Sequence, residues 1–324
     1  MNSSKNVRVT PATRVAFDSP EVTHFDRDGV IPAVAAFDGT LLAKFRPSIL
    51  IGAALIASGM IHLTLLYVTG ADWSGPLSLR KPGLFGVSAG VTIWSMVWVL
   101  TQFEPRHHDH RLGSLLSGGL LLEVGLITLQ QWRGMPSHFN RATLLDATIE
   151  SMMLGLILLV TAGIAGLCWR SRHLRPMPVS RAIAIRAGLW LLLVSCGLGL
   201  LVTLAGEVNL ANNRAPEAWG KAGILKYPHG AALHAIQTLP LLSIMLQKFR
   251  VTHSAWLIRS TVAAHVLFLA QALWQTFHGR ARMDLDMTSF AALAVAGLLL
   301  FLPIVAILHA ALLMPRASWS GQSL

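Results

Sequence analysis

Eight apolar runs leave this chain little choice of fold. Each can reach about 20 residues, the length needed to cross roughly 30 Å of hydrocarbon. They fall at 48–69, 83–102, 112–131, 143–167, 182–205, 230–247, 256–277 and 287–311. Lipid offers no hydrogen bonds to the backbone, so runs of this length are satisfied only as helices. The expected fold is an all-α polytopic transmembrane bundle of about eight spans. The sixth run is the shortest and carries His234 and Gln237. Only 13% of the 324 residues are charged and 53% are hydrophobic. A soluble domain carries about a quarter charged residues, so the composition agrees with a lipid bilayer as surroundings.

Residues 1–46 are mixed polar and charged and lack the apolar core of a cleavable signal peptide. "VIPAVAAF" (30–37) is too short to span. The expected division is a polar, disordered tail over 1–46, a helical membrane domain over 47–312, and a short tail over 313–324. The longest connection between spans is 206–229, and no other loop has room for a folded domain, so a single membrane domain is expected. Cys168 and Cys196 have no metal-ligand spacing and lie near or within spans, which argues against a disulfide framework.

The net charge of +11 raises the possibility of nucleic acid, but Lys and Arg sit in short loops between apolar runs. Nucleic acid is therefore not expected as a partner. Eight spans place both termini on one side. That side collects twelve Lys and Arg against nine opposite, with "RSRHLRPMPVSR" its densest basic loop. The excess predicts cytoplasmic termini and a bacterial inner-membrane location.

Polar groups of the spans collect in the half away from the termini. His62 lies in the outer half of the first span, and Glu123 slightly past the middle of the third. "WRGMPSHFNRATLLDATIE" (132–150) forms an outer loop that enters the fourth span, bringing Arg133, His138, Asn140, Asp146 and Glu150. "KYPHGAALHAIQTLP" starts the sixth, with His229 at its mouth, His234 one turn in and Gln237 deeper. His265 sits near the centre of the seventh. A central charge costs roughly 2.5–3.5 kcal/mol on insertion scales, so such groups face a bundle interior or a wet cavity. A polar pocket open to one side is expected. Glu123 has no compensating charge on its own span; Arg133, Lys81 or a histidine must partner it.

Simpler readings stand beside these. Thr143-x-x-Asp146 fits a capping box. Glu150, one turn further, is too deep for capping, so Asp146 and Glu150 could share a proton or cation. Asn140 and Ser137 suit a turn. A lone buried histidine is more often an interhelical hydrogen-bonder than a ligand. His107, His108 and His110 belong to a charged loop, and His309 is interfacial. His229 and His234 lie about 140° apart on a regular helix. No zinc-hydrolase motif occurs. Histidines from separate helices could ligate a haem iron, with His62, His234 and His265 the candidates. A transporter would call for broken helices or an inverted repeat, and the sequence shows no clear repeat.

Three blocks, "LRKPGLFGVSAGVTIW", "RGMPSHFNRATLLDA" and "YPHGAALHAIQTLPLL", resemble those of a group of bacterial multi-pass membrane proteins. The resemblance covers roughly residues 48–310. It implies that Lys81, Arg133, Ser137, His138, Asn140, Asp146, His229, His234 and Gln237 form a shared pattern; it brings no activity with it.

Three functions follow as expectations. In the first, the protein holds haem b or a divalent metal for a redox role. Its metal ligands are His138, His229 and His234, and Glu123, Asp146 and Glu150 are their partners. In the second, a membrane enzyme acts on a lipid-linked or small amphipathic substrate. Lys81, Arg133, Asn140 and Gln237 bind it, and His138 or Glu123 serves as general base, with Asp146 and Glu150 in support. In the third, a sensor or assembly protein uses the polar cluster only to hold its helices together.

Overall fold

The computed structural model describes residues 43–313. Eight helical segments in it are long and apolar enough to cross a membrane, so this is a multi-pass membrane protein in a lipid bilayer. The helices are α1 Arg46–Thr69, α2 Arg80–Thr101, α3 Asp109–Trp132, α4 Leu144–Arg170 and α5 Val179–Ala211, then α6 Lys226–Leu233, α7 Ala235–Lys248, α8 Ser254–Phe277 and α9 Met287–Leu313. Together α6 and α7 make the sixth span. Because the spans alternate in direction, Arg46 and Leu313 lie at one end of the bundle, the terminal end. The loop 133–143 lies at the other, the loop end. The predicted tail over 1–46 falls almost wholly outside the described residues, as does nearly all of 313–324.

Small residues set the tightest contact. A Cβ on Gly90 of α2 would lie 2.5 Å from the Gly52 carbonyl oxygen of α1, and one on Gly59 would lie 2.7 Å from the Gly83 oxygen. In lipid, where apolar burial drives little helix pairing, such close backbone approach supplies the packing energy.

The main apolar core is concentrated toward the terminal end. Ile93, Met96, Val99, Leu100 and Phe103 of α2 and its following loop meet Leu116 of α3, Ile164 and Leu167 of α4, and Ile185 and Leu189 of α5. A second core joins α5 to α6–α8 through Ala184, Leu239, Leu246 and Ile258. The helix α9 is peripheral: only Ser289, Ala296 and Pro303 of it are buried.

Two features depart from the expected spans. The sixth is broken. His234 (φ −91°, ψ 5°) ends α6 and starts α7, and its N–H turns back to the Ala232 carbonyl. Pro240 lies one and a half turns on; it has no N–H to donate and its ring crowds the carbonyl of Ile236. Gly188 of α5 lets the broken segment approach, since a Cβ there would come within 3.0 Å of the Ile236 Cα. No second broken span mirrors it among the described residues. The longest connection, 206–229, begins with the end of α5. It then forms a two-stranded antiparallel hairpin, β1 Ala218–Trp219 with β2 Gly223–Ile224, before α6 begins. The hairpin docks on the α8–α9 turn through Ala222 N–H to the Gly279 carbonyl (3.0 Å).

Candidate functional site

The loop end is framed by Asp146. Thr143 caps α4: its hydroxyl accepts the Asp146 N–H (3.1 Å) and donates to the Asp146 carboxylate (2.7 Å). The other carboxylate oxygen accepts from Gln130 Nε2 (3.0 Å) and Arg133 Nη1 (2.8 Å). Arg133 also donates to Gln130 Oε1. Asp146 is fully enclosed, and both of its oxygens are spent on α3, the loop and its own helix end. The capping reading accounts for it, and it is not placed to exchange a proton with a ligand.

Glu150 holds the loop from one turn deeper. It accepts the Phe139 N–H (2.7 Å) and Arg141 Nε (3.2 Å), and Arg141 continues to Glu207 of α5 at 3.2 Å. Phe139 sits at φ 57°, a left-handed conformation costly for a non-glycine residue. Its ring occupies the space where Gly206 lacks a side chain: a Cβ there would be 2.4 Å from the ring. Neither this wedge nor Glu207 as the second anchor has a signature in the sequence. Asp146 and Glu150, expected to share a proton or cation, are each committed to different donors. Asn140 likewise serves the turn, donating to the Pro136 carbonyl (3.2 Å) and accepting the Ala142 N–H (3.2 Å).

Above this frame lie Lys81, His138 and Glu123. Lys81 projects from the first turn of α2, and its ammonium makes a long 3.4 Å contact with His138 Nδ1. Ser137 Oγ lies 3.2 Å from the same nitrogen, and Phe85 packs against the ring. An ammonium can only donate, so His138 Nδ1 is the acceptor and the ring proton resides on Nε2. Burial first, and the Lys81 charge second, push His138 from 6.5 down to about 3. His138 is thus a neutral N–H donor whose Nδ1 faces Lys81 and Ser137. Glu123 of α3 is 6% exposed and makes no hydrogen bond or ion pair among the described residues, and its Oε2 is sealed from solvent. Of its three expected partners, Arg133 belongs to Asp146, while Lys81 acts on it only through space. The charges of Glu217, Lys226 and Glu123 all reach Lys81, with Glu217 and Lys226 paired to each other across the hairpin and α6.

The remaining histidines separate. In His62, Nδ1 donates to the Ser58 carbonyl (2.7 Å) and Nε2 accepts the Trp132 indole N–H (3.0 Å). In His265, Nδ1 donates to the Thr261 carbonyl (2.9 Å) and Nε2 faces the Thr238 hydroxyl (3.0 Å). Neither keeps a free lone pair for iron. His229 Nδ1 donates to the Ser195 carbonyl (2.7 Å), leaving Nε2 available. His234 is exposed at the break and has no ring hydrogen bond among the described residues. Among the described residues no three His, Cys, Asp or Glu side chains converge as metal ligands. The set His138, His229 and His234 is therefore not assembled: His138 rides on the α3–α4 loop beside Lys81, while His229 is fastened to α5. Gln237 donates to Thr92 Oγ1 (3.1 Å) and leaves a buried Oε1 unpartnered. Gln271, which its depth in the seventh span puts level with the polar cluster but which has no role among the expected site residues, accepts the Tyr227 hydroxyl (3.0 Å) and leaves a buried Nε2 unpartnered.

No protein-family model, curated protein or solved structure matches this chain.

Proposed function

We infer that this membrane protein binds an anionic, amphipathic small molecule at the loop end and acts on it as a membrane enzyme. Lys81 anchors the anionic group and Glu123 accepts a proton. One observation carries the reading: Lys81 and Glu123 are oppositely chargeable, share a neighbourhood, and yet do not pair. The Lys81 ammonium has three donors and one long contact; Glu123 has none of its acceptors filled by the described residues. Polar groups this costly in lipid are kept unpaired where a ligand completes them. His138 contributes its Nε2–H as a hydrogen-bond donor, and Arg133, Asn140, Asp146 and Glu150 hold the loop that carries it. Gln237 and Gln271 offer one free acceptor and one free donor on α7 and α8.

The haem or metal reading draws less support, because His62 and His265 have both ring nitrogens engaged. If the excess of basic residues at the terminal end marks the cytoplasmic side, the site opens away from the cytoplasm of a bacterial inner membrane. The resemblance to bacterial multi-pass proteins is consistent with that setting.

Mass spectrometry of the gently solubilised full chain, with extraction of bound small molecules, tests the inference. An anionic amphiphile is expected to copurify, to be lost in Lys81→Gln and to be retained in Glu123→Gln. Its persistence in Lys81→Gln would sink the anchor assignment. A Soret band or stoichiometric metal in the same preparation would restore the histidine-ligand reading.

A further inference from the structure

At the terminal end, far along the chain from Lys81, a groove of about 540 Å³ lies between the α7–α8 turn and the last turns of α9. Arg250, His253, Trp256 and His309 line it together with apolar Ala310 and Leu313. We propose that this groove is a binding site for the headgroup phosphate of an anionic phospholipid.

Its charge is uncompensated. Residues 235–277 and 287–313, which make up α7, its turn, α8 and α9, contain no Asp or Glu. Arg250 forms no ion pair among the described residues, whereas Arg170, at the same end of the bundle, is paired with Asp109. The groove also has the right depth. Lys248 closes α7, Ser254 opens α8 and Leu313 ends α9 as described, so the lining sits where spans meet water. An indole such as Trp256 is favoured at that level. Its volume suits a small polar ligand, and Ala310 and Leu313 continue it as an apolar wall for the glycerol and first acyl carbons.

The turn holds Arg250 and His253 there at a conformational cost. Arg250 (φ 51°) and His253 (φ 56°) are both left-handed. Arg250 occupies the position after the α7 cap where glycine is usual: its N–H reaches the Gln247 carbonyl (3.0 Å), and Val251 N–H reaches that of Leu246 (2.9 Å). A guanidinium and two imidazoles supply donors for phosphate oxygens. A zwitterionic headgroup would bring its own cation against Arg250, so the groove selects for net negative charge.

Native mass spectrometry of the full chain, titrated with phosphatidylglycerol or phosphatidylcholine of identical acyl chains, reads this out. Phosphatidylglycerol is expected to bind preferentially. Arg250→Gln should weaken it about fivefold, the effect of one basic residue at an anionic surface. Arg111→Gln removes an exposed arginine from α3 at the same end and should leave binding unchanged. Ala310→Trp keeps every charge but fills the apolar wall, and should exclude the lipid. Melting curves confirm that each variant is folded, and Ala310→Trp decides the matter should Arg250→Gln fail to fold. Equal affinity for both lipids would overturn the proposal. So would equal losses in Arg111→Gln and Arg250→Gln, retention of lipid by Ala310→Trp, or displacement by millimolar inorganic phosphate. This site is independent of the Lys81 reading.

Discussion

The two ends of the bundle use charge in opposite ways. At the terminal end Arg170 pairs with Asp109 and stacks on Phe103, with its guanidinium carbon 4.8 Å from the ring centroid. Arg175 Nε donates to the Phe103 carbonyl (2.9 Å) and Arg186 Nε to that of Ser171 (2.9 Å). Arg181 donates to Gln247, which in turn reaches Ser180 (3.1 Å) and Ser243 (3.2 Å). These arginines close the α2–α3 and α4–α5 turns over the largest apolar core. At the loop end the corresponding core is small, Ile127, Ile149 and Met153, and beside it Lys81 and Glu123 keep spare hydrogen-bonding capacity. A buried charge serves stability only when its partners are present. The first end meets that condition almost completely, and the second does so around Asp146 but not around Glu123.

That contrast is open to direct attack. Arg170→Gln should have the largest effect, about 3 kcal/mol, because it strands Asp109 without its partner; equilibrium unfolding in detergent measures it. If the loss is below about 1 kcal/mol, the terminal end is not held by this pair. Acidification comes next. The folded state keeps His138 near 3 and the unfolded chain near 6.5, so between these values only the unfolded chain takes up the proton. Stability from this group is full above pH 6.5 and declines toward pH 3. His138→Asn should flatten that part of the profile; an unchanged slope would show that the ring is not held neutral. Trp132→Phe removes the indole donor to His62 and should cost about 0.6 kcal/mol, the average for such bonds in membranes. Glu123→Gln should change stability least or raise it slightly, since no ion pair is lost. A large loss there would mean that Glu123 is structural after all, and the two ends would then differ only in degree.

The bundle itself was readable in the sequence because span length and apolar character are local properties. So was the α4 cap, since Thr143 and Asp146 are three residues apart and both meet the same helix end. Clustering of polar groups toward one end also followed from depth alone. What could not be read was which group faces which. Arg133 could have neutralised Glu123 or Asp146; the turn of the loop, which brings back a carboxylate 13 positions along the chain, decided for Asp146. His62 and His265 look like ligands in a one-dimensional listing, and only the neighbouring Trp132 indole and Thr238 hydroxyl reveal that their nitrogens are used. The break at His234 had a partial signal in Pro240. The hairpin at 218–224 had none, because two-residue strands carry no periodicity.

The break in the sixth span also bears on how the protein is seated in its membrane. The 18-residue stretch taken from that segment, 226–248, has a mean hydropathy of 1.2, against 2.2 for the corresponding stretch of α5 and 1.4 for that of α8. It carries a polar joint where unbroken helix would hide the backbone. It is the least apolar of the eight. What fastens it is protein: Ser195 of α5 grips His229, while His265 of α8 meets Thr238. The sixth span therefore depends on a helix made before it and a helix made after it. Its seat in the bilayer is completed only where α5 and α8 both flank it.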